Sequence, residues 1–142
     1  MNKQTQPTEK GFWDDAEIIS SYTRAQAIED GVLVDVSETA KDAGFVYPVA
    51  MTAAAWADCV AWTDENTRRQ VPQDEFGRLW DVLWMAKLAA KGGGRGTEII
   101  YPLYRVPRGG NGHQPRLTQL KMVCGPGDTP EPVITIMLPD ED

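Results

Sequence analysis

QDEFGRLWDVLWMAKLAAK, residues 73–91, is the stretch on which the fold turns. Phe76, Leu79, Trp80, Leu83, Met85 and Leu88 recur near the helical period and form an apolar stripe, so a helix is predicted here. Asp74 and Glu75 at its start and Lys87 and Lys91 at its end complement the helix dipole, and glycines 92–94 terminate it. This helix is expected to be the central packing element. A buried Trp80 there would cost about 3–5 kcal/mol on truncation to Ala.

Downstream, TEIIYPLYRV, RLTQLKMVC and PVITIML read as three strands separated by the turn-rich linkers PRGGNGHQP and GPGDTPEP. In the second strand Thr118, Leu120, Met122 and Cys124 alternate with Gln119 and Lys121, the pattern of a half-exposed strand. In the third, both sets of alternating residues are apolar enough to be covered. Three consecutive antiparallel strands forming a meander are predicted.

Upstream, Thr23 with Gln26 resembles a capping box that opens a short helix from about Arg24 to Asp30. VLVDV, residues 32–36, reads as a buried strand, and Ser37 as the cap of a short helix ended by Gly44. Pro48 limits residues 45–50 to an edge strand at best. Thr52 precedes an Ala-rich helix in which Ala53, Trp56 and Val60 share a face, and Thr63 to Gln70 reads as an exposed connection. The fold class is therefore α+β, with helices of the N-terminal half packed on a C-terminal antiparallel β-meander. Residues 1–10 form a loose arm, and 11–142 a single domain.

A chain of 142 residues with 42% hydrophobic content, five Trp, four Tyr and three Phe suits one packed core. No apolar run is long enough to cross a bilayer and no secretory signal is evident, so a soluble, cytoplasmic protein without a membrane partner is expected. Cys59 and Cys124 sit in apolar stretches, as free thiols of a reducing compartment do. The formal charge of −7 is unevenly spread. Residues 1–65 carry 12 acidic and 4 basic side chains, residues 66–123 carry 4 and 10, and residues 124–142 carry 5 and 0. Balance of these blocks within the fold is the commoner outcome.

The apparent chemical motifs fail for stated reasons. KGGGRG at 91–96 follows a helix and opens a strand, the reverse of a phosphate loop. His113, the only histidine, lies in a predicted loop without an orienting partner, and with Cys59 and Cys124 it lacks the close spacing of a zinc site. Asp14, Asp15, Asp35, Glu38, Asp58 and Asp81 could supply a carboxylate pair or hold Mg²⁺, yet nothing singles them out. No catalytic residue, metal or cofactor is assigned, and an enzyme is the less favoured class.

Two surfaces remain. Trp13, Asp14 and Asp15 near the start and Asp140, Glu141 and Asp142 at the end could present carboxylates beside an aromatic anchor to a basic partner, or imitate nucleic acid. Tyr101, Tyr104, Arg105, Arg108 and Arg116 around the predicted hairpin could instead hold a nucleic-acid backbone, against the overall negative charge.

The stretches FWDDAEIISSYTRAQAIEDGVLVDVSETA, AAAWADCVAWTDE, RLWDVLWMAKLA and LKMVCGPGDTPEPVITIMLPDED resemble an uncharacterised family of short proteins carried by bacterial plasmids, phages and other mobile elements. The resemblance implies context rather than chemistry. Small acidic proteins of such elements often inhibit restriction or CRISPR systems, so the expectation is a non-enzymatic interaction protein whose partner is a host nuclease or defence complex. The alternatives are a small enzyme acting on a nucleotide or modified protein, and a nucleic-acid-binding accessory protein.

Overall fold

The computed structural model describes residues 22–92 and 96–142. Helix α1 (Arg24–Glu29) is opened by the expected capping box, in which the Thr23 hydroxyl accepts from the Gln26 amide and the Gln26 side chain accepts from the Thr23 amide. Strand β1 (Leu33–Asp35), helix α2 (Ser37–Asp42) and strand β2 (Val49–Thr52) follow. Helix α3 (Ala53–Cys59) begins where the Thr52 hydroxyl accepts from the Ala55 amide. Helix α4 (Asp64–Arg69), helix α5 (Glu75–Lys91) and strands β3 (Glu98–Arg105), β4 (Arg116–Pro126) and β5 (Pro132–Met137) complete the order.

The fold is α+β, but its sheet is larger and less uniform than a C-terminal meander. Five strands lie in the order β1-β2-β5-β4-β3. Strands β3, β4 and β5 do pair antiparallel in succession, whereas β5 also pairs parallel with β2, with Val49 opposite Ile134 and Met51 opposite Ile136. The N-terminal half thus supplies two strands as well as helices. Edge and interior are also exchanged relative to the sequence reading. Strand β2, with Val49, Ala50 and Met51 all buried, lies inside the sheet, while β1 from VLVDV is an edge strand. Pro48 restricts nothing here, because it precedes β2 and its carbonyl accepts from the Ile134 amide.

Three further local corrections have physical causes. Ser37 is the first residue of α2 rather than its cap; its hydroxyl donates to Asp35 Oδ1 and accepts from the Val49 amide, tying β1 to β2. Residues 64–69 form a helix, because Thr63 and Asn66 build a second reciprocal cap. Helix α3 buries Ala55 and Cys59 rather than Ala53 and Trp56.

Helix α5 is the central element expected, capped by Asp74, whose carboxylate accepts from the Gly77 amide. It lies across one face of the sheet, burying Leu79, Val82, Leu83 and Ala86 against Tyr101, Leu103, Leu120, Met122 and Ile136. The Tyr101 hydroxyl donates to the Val82 carbonyl at 3.3 Å. Phe76, Trp84 and Leu88 are exposed away from that core and Trp80 is partly buried against its margin, so the predicted stripe combines residues from two faces of the helix.

Candidate interaction surface

The covered side of the sheet fixes the uncovered side. Because side chains alternate along a strand, burial of Tyr101 and Leu103 beneath α5 sends Ile100, Pro102 and Tyr104 to the opposite face. On β4 the same alternation sends Leu117, Gln119 and Lys121 there, and the register pairs Tyr104 with Leu117, Pro102 with Gln119 and Ile100 with Lys121. Tyr104 is 65% exposed, Leu117 59% and Ile100 47%. Three large apolar side chains on adjacent strands therefore meet solvent as one patch.

Lys121 sits at the inner margin of this patch with little exposure. Its ammonium donates to the Glu141 carbonyl and lies 3.9 Å from Glu98 Oε2. Glu141 itself is held: its carboxylate accepts from the Thr52 hydroxyl at 2.6 Å and from the Leu138 amide at 2.8 Å. Asp140 and Asp142 adjoin that anchor in sequence and are exposed, as is Glu98, so carboxylates gather at the Lys121 end of the patch.

Beneath the other face, Asp58, Cys59, Arg78 and Arg105 form the most polar interior cluster. The Arg78 guanidinium donates to the Val60 and Val106 carbonyls and to Gln73 Oε1, and stacks 4.5 Å from the Trp62 ring. Both Asp58 oxygens accept from Arg105 Nη2 at 3.1 Å. Burial, aided by the neighbouring Asp58 carboxylate, pushes the Cys59 thiol up to about 12, so it stays protonated at neutral pH and is a poor nucleophile. Arg78 Nη2 and Arg105 Nε are buried without a hydrogen-bond partner among the described residues. This cluster fastens α3, α5 and β3 together, and beside it lies a small cavity of about 90 Å³ lined by Cys59, Arg78, Asp81 and Arg105 among others.

A cleft of about 270 Å³ at the other end of the sheet is lined by Arg24, Asp35, Ser37, Asp128 and Glu131 among others. Most of its polar groups have structural duties. Arg24 donates to Thr135 Oγ1 and to the Ile134 carbonyl, Asp128 accepts from the amides of Arg24 and Ala25, and Asp35 accepts from Ser37. Among the described residues no group of three His, Cys, Asp or Glu is placed to hold a metal ion, and no helix is long and apolar enough to cross a membrane.

Residues 9–142 match a family described as a family of unknown function, DUF6573. The chain belongs to that family. No curated protein and no solved structure matches it.

In this DUF6573 member the residues singled out by sequence are dispersed. Trp13, Asp14 and Asp15 lie outside the described residues. Tyr101 is 1% exposed, out of reach of a docked strand, and Arg105 is tied to Asp58 beneath the covered face, whereas Tyr104 is on the open one. Arg108 and Arg116 are exposed near the β3–β4 loop, Arg108 donating to the Ala57 carbonyl. The five proposed nucleic-acid contacts are thus divided between two sides of one sheet. Glu141 serves as an anchor, leaving Asp140 and Asp142 free at the surface. His113 is exposed in the same loop.

Sequence reasoning missed Ile100, Leu117 and Glu98 as surface residues and Gln70 as an organiser. The buried Gln70 side chain donates to the carbonyls of Pro107 and Gly112 and accepts from the Gly109 amide, so α4 holds the β3–β4 loop in place. Gly109 and Gly110, with φ of 98° and 74°, let the loop turn beneath it. The Asn66 cap signal could have revealed α4, but nothing local marks Gln70 as buried.

Proposed function

We propose that this protein is a non-enzymatic interaction protein that docks a basic protein partner on the open face of β3 and β4. The observation that carries this reading is the patch of Ile100, Tyr104 and Leu117 with Glu98, Asp140 and Asp142 gathered at its Lys121 end. A large exposed aromatic with aliphatic neighbours supplies the apolar centre of an interface, and carboxylates at one end of it select for positive charge on the partner. The protonated Cys59 and the occupied polar groups of the Arg24 cleft favour this reading over an enzyme. The resemblance to short proteins of mobile elements supports a cytoplasmic role as an inhibitor, with a host nuclease or defence complex as partner.

The test is capture from nuclease-treated host lysate by the full chain, with partners identified by mass spectrometry, beside Tyr104→Asp and Leu117→Asp variants of unchanged circular dichroism. The expected partner is retained by the wild type, lost by both variants and weakened by rising salt. A partner retained equally by both variants overturns the assignment of the surface, and capture abolished by nuclease treatment supports the nucleic-acid reading instead.

A further inference from the structure

The outward side of α5 carries a feature that the proposed partner surface does not use and that the core engages only through Trp80. Phe76, Trp80, Trp84 and Leu88 recur at every fourth residue and so form one ridge, about 18 Å long at the usual helical rise. The Phe76 and Trp80 rings stack with centroids 6.4 Å apart, and Trp80 and Trp84 at 6.3 Å with their planes 12° from parallel. Phe76 is 63% exposed, while Trp84 and Leu88 are each 46% exposed. An apolar ridge of this size on the surface of a folded domain marks a contact site.

Two observations identify what covers it. The first is ring geometry: Trp80 is stacked between Phe76 and Trp84, so a nucleobase or sugar finds no free Trp80 ring face to stack on. The ridge suits side-chain packing. The second is charge. Asp74 and Glu75 stand at one end of α5 and Lys91 at the other, while the Lys87 ammonium donates to the Gly44 carbonyl. A ridge that is acidic at one end and basic at the other is complementary to itself when turned through 180°, which also opposes the two helix dipoles favourably.

We propose that two copies of this chain associate through this ridge, with their α5 helices antiparallel about a two-fold axis near residue 82. Phe76 of one copy meets Leu88 of the other, the two Trp80–Trp84 pairs pack across the axis, and the Lys91 end lies over the Asp74 end. The open β3–β4 face lies on the far side of the sheet from α5, so this association is independent of the partner surface.

Sedimentation velocity on the full chain across the micromolar range tests it. A species of twice 15.7 kDa is expected, reduced to the monomer in Trp84→Glu and in Phe76→Glu with circular dichroism unchanged. Lys91→Glu should weaken association roughly two- to five-fold, as loss of a surface charge pair does. Mixing Phe76→Cys with Leu88→Cys chains, both lacking Cys124, under mild oxidant should give a disulfide-linked dimer that neither chain forms alone. A wild type that sediments as a monomer overturns the proposal, as does a dimer that survives both glutamate substitutions. Cross-links formed by either cysteine chain alone, with no mixed Phe76→Cys–Leu88→Cys species in the mixture, overturn the antiparallel arrangement.

Discussion

The two faces of the β3–β4 ribbon are built from similar residues and meet opposite fates. Tyr101 and Leu103 on one face are 1% exposed beneath α5, while Tyr104 and Leu117 on the other are more than half exposed. Three residues, an odd step along the strand, separate the core Tyr101 from the surface Tyr104. The difference lies in what packs overhead, since α5 can cover only one side. Apolar residues left over on the second side are therefore available for recognition, and their cost to stability is small.

The contrast can be tested first through the thiol on the covered side. Burial holds Cys59 as a neutral thiol up to a pH of about 12, so its reaction with a maleimide near neutral pH is expected to be roughly a thousand-fold slower in the native chain than in denaturant. Mass-spectrometric labelling of Cys59 reads this directly, and fast native labelling would show that the covered face opens. Next come neighbouring residues of α5. In urea denaturation at concentrations where the chain is monomeric, Leu83→Ala should cost about 2–5 kcal/mol, and Trp84→Ala, one residue on and exposed, under about 1 kcal/mol. Comparable losses would mean that the ridge belongs to the core. Gln70→Ala removes three hydrogen bonds to the β3–β4 loop and should cost about 1–3 kcal/mol, with faster amide exchange at Gly109. The smallest effect is expected from the tyrosine pair. Tyr101→Phe should lose about 0.5–1.5 kcal/mol with its bond to Val82, whereas Tyr104→Phe should leave the melting curve in place.

What could be read in advance was what neighbouring residues decide among themselves. The cap at Thr23, the Ala-rich helix after Thr52, the long helix ending at Gly92 and the three C-terminal strands all rest on signals a few residues apart. Distant pairings were not legible. Nothing in VAMT announces that Val49 faces Ile134, and a four-residue strand after a proline gave no reason to place β2 inside the sheet. The candidate surface was hidden for a related reason. Ile100 and Tyr101 are equally apolar to a periodicity argument, and only the position of α5 decides which of them is exposed. Of the acidic residues proposed for partner contact, Asp140 and Asp142 are exposed beside the open face, whereas the inward hold on Glu141 depends on Thr52 and Lys121, far away in the chain.

The position of β5 between β2 and β4 also orders events during synthesis. Until Pro132–Met137 has left the ribosome, β2 lacks its neighbour on one side, and at ~5–20 residues per second the interval from Val49 to Ile134 is on the order of 4–17 s. The nascent β1–β2 pair, joined through α2, has one edge unpaired for that long. Its shortness, three residues against four, limits how much of that edge another chain could seize before the last strand arrives.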